Sequence, residues 1–145
     1  MSKTADFLSP DDERTIIDAI ITAEKNTSGE IRVHIEPHTA ISHFERAKEI
    51  FHLLKMDNTK EGNGVLLYIA VKDKKFVIYG DRGIDRAVPK DFWESTKALI
   101  ESRFKQGDFK QGIIDAILKT GQELQKHFPW QSNDRNELSN EVSKG

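Results

Sequence analysis

Apolar residues recur along this chain with two periods, and the period changes where the elements change. Ile16, Ile17, Ile20, Ile21 and Ala23 follow helical spacing. They sit behind an N-cap serine, Ser9, a proline at the first helical position, Pro10, and an acid at the third, Asp12. The pattern predicts a helix ended by "NTSG", with Gly29 as a left-handed terminator. In "EIRVHIEP" the period drops to two. Ile31, Val33 and Ile35 alternate with Arg32, His34 and Glu36, which predicts a strand with one buried and one wet face, ended by Pro37. Ser42 and Glu45 read as a capping box for a second helix, with Phe44, Ala47, Ile50, Phe51 and Leu54 as its stripe.

"GVLLYIAV" has no period at all. It is apolar throughout, too short for a good globular helix, and predicts a central strand covered on both faces. After the charged turn "KDKK", "FVIYG" is a second strand, antiparallel because the connection is so short. Pro89 starts a helix carrying Phe92, Trp93, Leu99, Ile100 and Phe104. Asp108 and Gln111 read as a capping pair for a last helix with Phe109, Ile113, Ile117, Leu118 and Leu124. Gly112 and Gly121 lie inside it. Each costs roughly 1 kcal/mol against alanine, which reads as close packing of the helix backbone on its neighbour or, alternatively, as a tolerated weak spot.

This order predicts an α/β fold: a three-layer α/β/α sandwich around a small mixed sheet. The helical crossover makes the first two strands parallel, and the third returns antiparallel. One domain spans residues 1–130. Residues 131–145 form a polar tail, expected to be flexible, with Leu138 and Val142 as its aliphatic handles for the domain or a protein partner.

Composition narrows the functional classes. The chain has 145 residues, 37% hydrophobic and 32% charged, with 22 basic against 24 acidic side chains interleaved along it. No basic stripe marks a nucleic-acid partner. With no cysteine, disulfides, thiolate metal sites and a cysteine nucleophile are excluded. Neither a secretory h-region nor an apolar run of membrane-spanning length occurs, so a cytoplasmic monomer is expected.

The predicted topology brings three glycine-rich loops to one end of the sheet: residues 27–30, 62–64 and 80–85, the last within "YGDRGID". They carry Glu30, Asn63, Asp81 and Asp85. Hard oxygen ligands with little bulk around them suit calcium, or magnesium that keeps several waters. The same residues also read as plain turns, because glycine takes positive φ and aspartate bonds its own backbone. Neither an EF-hand nor a dinucleotide fingerprint is present. The five histidines, His34, His38, His43, His52 and His127, lack zinc spacing and are expected to be solvated.

"SGEIRVHI", "GNGVLLYIAVKDKKFVIYGDRGI" and "FKQGDFKQGIIDAI", in that order, resemble the TPM-domain family over about residues 10–128. This domain is shared by a thylakoid-lumen protein of photosystem II repair and many bacterial proteins. The resemblance implies an α/β/α sandwich. Through the plant members it also implies a calcium site and an acid phosphatase activity. The matching positions are Gly29, Glu30, Asn63, Gly64, Gly80, Asp81 and Gly83, with Asp85 where members commonly carry an acid. The chain is expected to lack the signal peptide and membrane segment of many bacterial members, and its end resembles a soluble single-domain branch. Three functions stay open: a domain binding calcium or magnesium, a metal-dependent phosphatase, and a ligand-free interaction module.

Overall fold

A computed structural model describes residues 8–59, 61–130 and 142–144. Helix α1 (Pro10–Glu24) opens on a reciprocal capping box: the Ser9 hydroxyl accepts from the Asp12 amide at 3.0 Å, and the Asp12 carboxylate from the Ser9 amide at 3.2 Å. Strand β1 (Glu30–Glu36), helix α2 (His43–Leu53), and strands β2 (Gly64–Ala70) and β3 (Lys75–Gly80) follow. A short helix α3 (Arg82–Ala87) leads to α4 (Lys90–Lys105) and α5 (Phe109–His127). A two-residue strand β4 (Ser143–Lys144) ends the described chain.

The sheet is mixed, in the order β3-β2-β1-β4. β1 runs parallel to β2 from Glu30 opposite Gly64, and β2 antiparallel to β3 from Val65 opposite Gly80. All seven residues of β2 are buried, as its unbroken apolar run requires. Val65, Leu67 and Ile69 face a core built with Ile16 and Ile20 of α1, Ile100 of α4 and Ile113 and Ile117 of α5. Leu66, Tyr68 and Ala70 face Ala47, Ile50 and Phe51 of α2, with Met56. Helices thus cover both faces, and the predicted three-layer α/β/α sandwich is the observed one.

Several local expectations are corrected. The polar face of β1 is not wet: His34 and Glu36 are each 4% exposed. Gly29 does not take positive φ. A Cβ there would stand 2.8 Å from Leu124 Cδ1, so its glycine is set by the passing α5. Asp108 makes no side-chain cap, and Gln111 instead donates to Asp115 at 2.7 Å. Phe44 leaves the α2 stripe and is 55% exposed.

The expected flexible tail falls mostly outside the described residues. Its described part is docked. His34 and Ile35 of β1 pair with Ser143 and Lys144, Val142 packs on the core, and Lys144 pairs with Glu13 of α1.

Gly121 is where α5 meets α1. A Cβ there would lie 2.6 Å from the Cβ of Ala23 and 2.9 Å from its backbone, so no rotamer change relieves it. Gly121→Ala should therefore destabilise the domain by about 1–3 kcal/mol, despite alanine's better helix propensity. Urea unfolding measures it. A stabilised variant would mean that the two helices separate freely.

Candidate functional site

The three glycine loops do meet. The Glu30 amide donates to Asn63 O at 3.2 Å, the Asp81 amide to Gly64 O at 3.0 Å, and the Gly83 amide to Gly62 O at 2.8 Å. Gly62 has φ +62°, which favours glycine. A Cβ on Gly83 would overlap Glu61 O and stand 2.7 Å from Gly62 O. The glycines therefore let loop 61–63 and loop 80–85 lie backbone against backbone.

The side chains on these loops go to three places. Asp81 caps α3, its Oδ1 accepting from the Arg82 amide at 2.8 Å. Asp85 follows one turn later. Burial, and then the Asp81 charge, hold its carboxyl above the usual range. Burial, then Asp81 and Asp85, also raise the Tyr79 phenol. Glu30, 2% exposed, turns to Glu24 of α1. Burial, with the Glu30 charge and hydrogen bond added, pushes the Glu24 carboxyl up to about 8, against a 2.7 Å bond from the Ile31 amide. Asn63 donates to Ser28 Oγ at 3.1 Å and to Glu61 Oε2 at 3.0 Å, and Ser28 donates to the same carboxylate oxygen at 2.6 Å.

Of the four predicted ligands, then, Asp81 and Asp85 stand together, while Glu30 and Asn63 are held by other partners. Among the described residues, no three His, Cys, Asp or Glu side chains are arranged to hold a metal ion. Sequence reading missed Glu24 and Glu61. Glu61 had a signal: it precedes the glycine loop "GNG" directly. Glu24 had none, because an acid near a helix end is ordinarily solvated.

A second polar cluster, at the far end of β1, was missed altogether. Glu36 accepts from Arg46 Nε at 2.8 Å and Nη2 at 2.9 Å, and from the Tyr68 hydroxyl at 2.5 Å. His34 Nε2 stands 3.1 Å from Glu36, and its Nδ1 3.0 Å from Ser143 Oγ of β4. Burial pushes Glu36 up, but the bonds from Arg46, Tyr68 and His34 outweigh it and hold the carboxyl at about 2. Burial lowers His34 against the pull of Glu36, which favours the neutral ring. Each charge here is already paired, so the cluster ties β1, β2, α2 and β4 together.

Asp85 also lines a cavity of about 430 Å³ beside β3, with Tyr79, Trp93 and Lys97 among its walls. No helix among the described residues is long and apolar enough to cross a membrane.

Known structures share this fold. The chain is similar to the BA42 protein of the psychrophilic bacterium Bizionia argentinensis, solved by NMR, at 57% identity over 96% of both chains with a TM-score of 0.91. It shares its fold with the N-terminal domain of a protein from P. gingivalis (18% identity, 88% of this chain and 84% of that one, TM-score 0.67). The same holds for the N-terminal domain of cg2496 from Corynebacterium glutamicum (12% identity, 81% and 74%, TM-score 0.58). None of the curated proteins matches. The TPM domain family matches residues 1–123, nearly all of the sandwich just described, and the chain belongs to that family.

Proposed function

We propose that this TPM domain binds a divalent cation, calcium or magnesium, where loops 61–63 and 80–85 touch. Asp81 and Asp85 supply its charge. The observation that carries this reading is geometric: loops 61–63 and 80–85 lie backbone against backbone, with Asp81 and Asp85 one helical turn apart at that contact, close enough for the Asp81 charge to help raise the Asp85 carboxyl. A cation at that pair removes the repulsion and adds direct coordination. The donors fit such an ion: all are oxygens, Glu61 is the next carboxylate along the touching loop, and water completes the shell. Glu30 and Asn63 join only by releasing Glu24 and the Ser28–Glu61 pair.

Asparagine is as good a helix cap as aspartate, so Asp81→Asn keeps the α3 start and removes one charge. It should weaken calcium binding roughly tenfold or more, leave apo stability level or slightly higher, and bring Asp85 down toward its ordinary range. Amide shifts during calcium and magnesium titrations read the first effect, and carboxyl titration by NMR the last. Unchanged calcium binding in Asp81→Asn would remove this loop as the site.

The phosphatase reading has one specific support: Asp85 and Lys97 line the same cavity, a carboxylate and an ammonium for a phosphoryl group. Hydrolysis of a phosphomonoester that needs calcium or magnesium and is lost in Asp81→Asn would establish it. Cation binding without turnover would leave the binding role alone.

A further inference from the structure

The two edges of the sheet are treated differently. Part of the β1 edge, at His34 and Ile35, is paired with the chain's own β4, through backbone and the Ser143–His34 bond. The β3 edge pairs with no described residue. Edge strands are normally blunted by charge, proline, a bulge or shortness. β3 is six residues long, reads "KFVIYG", and has only Lys75 as a charge, at its start. The Asp81 amide points at Gly64 O. By the alternation of an antiparallel ladder, the amides and carbonyls of Phe76, Ile78 and Gly80 point outward.

That open edge lies in a groove. The 430 Å³ cavity has Phe44 of α2 on one side and Trp93 and Lys97 of α4 on the other. A second cavity, of about 540 Å³, continues it past Phe76 and Lys97 toward the β2–β3 turn. Aromatic rings line the length: Phe44 packs on Tyr79 at 5.6 Å, Phe76 on Phe104 at 5.6 Å, and Phe104 on Phe109 at 5.1 Å. The turn end is basic, with Lys74, Lys75, Lys97 and Lys105 against Glu101 alone.

We propose that this groove docks an extended segment of a partner protein. The segment adds to β3 as a further strand, with apolar side chains among the aromatics and carboxylates beside the four lysines. Charge complementarity selects an acidic end on the segment. This inference does not rest on the cation reading: Asp85 lines one end of the groove, Lys74, Lys75 and Lys105 gather at the turn end, and Lys97 lines both cavities.

The test uses the isotope-labelled full chain and a blocked peptide of alternating valine and threonine ending in three glutamates. Two more peptides carry N-methyl groups, one on every valine and the other on every threonine. The unmodified peptide should shift the amides of Phe76, Ile78 and Gly80 and slow their hydrogen exchange. A strand turns alternate amides to its neighbour, so one methylated form should lose roughly tenfold or more in affinity while the other binds nearly as well as the parent. Exchanging the glutamates for lysines, or pairing Lys97→Glu with Lys105→Glu in the protein, should weaken binding about tenfold at low salt. Equal binding of both methylated peptides overturns strand addition. So do unmoved β3 amides at millimolar peptide, or sedimentation showing that the edge is occupied by a second copy.

Discussion

Arg46→Ala should destabilise the domain by about 3 kcal/mol, far more than an exposed ion pair is worth. The reason is what it leaves behind. The Glu36 side chain is 5% exposed and loses a two-pronged bond, while Arg46 itself is 27% exposed. Tyr68 and His34 remain to hold the carboxylate, which keeps the loss below that of a wholly orphaned charge. The pH dependence separates this from a packing effect. Glu36 has its folded value depressed from 4.5 to about 2, so its stabilisation is present above about 4.5 and is lost as pH falls toward 2. In Arg46→Ala that acid limb should flatten, and His34 should titrate at higher pH, because a nearby cation that lowered it is gone. Urea unfolding between about pH 3 and about pH 7 measures the first effect. A variant as stable as the parent, or one with the same acid limb, would show that Glu36 is held by its other partners alone.

The cluster around Glu36 also shows what sequence reading reaches. The seven-residue apolar run of β2 fixed the layer order, since a strand buried on both faces needs helices on both. The same premise, carried one strand further, covers both faces of β1, its neighbour. The alternation of Arg32, His34 and Glu36 with isoleucine and valine pointed to solvent because period two ordinarily does. Here His34 and Glu36 are buried, and Glu36 is satisfied by residues 10 and 32 positions away, Arg46 and Tyr68. No local pattern signals such a partner. The candidate site was half legible for a related reason. Backbone topology placed the three loops together, and the glycines marked where chain meets chain. Side-chain direction decided the rest, and Glu30 turned to Glu24 rather than to Asp81.

Above neutral pH, Glu24→Gln should be more stable than the parent by about 2–4 kcal/mol, and near pH 4 about equal to it. Glu24 is raised from 4.5 to about 8 in the fold, first by burial and then by Glu30. A raised carboxyl stabilises the fold fully below the unfolded value near 4.5. It loses that contribution as pH climbs through about 8, where the buried group must ionise beside a second carboxylate. Glutamine keeps an oxygen for the Ile31 amide and offers its NH₂ to Glu30 where the proton stood, so the variant should lack the alkaline limb. Glu24 and Glu36 thus act in opposite directions, which puts the parent's greatest stability on the acid side, around pH 5. Thermal unfolding from about pH 3 to about pH 9 reads both limbs. Calcium sharpens the test, because a cation could replace the shared proton. If ions enter at Glu24 and Glu30, calcium stabilises the parent at pH 8 but not Glu24→Gln. If they enter at Asp81 and Asp85, calcium stabilises both proteins and fails only in Asp81→Asn. An alkaline limb that survives in Glu24→Gln would place the buried proton on another group.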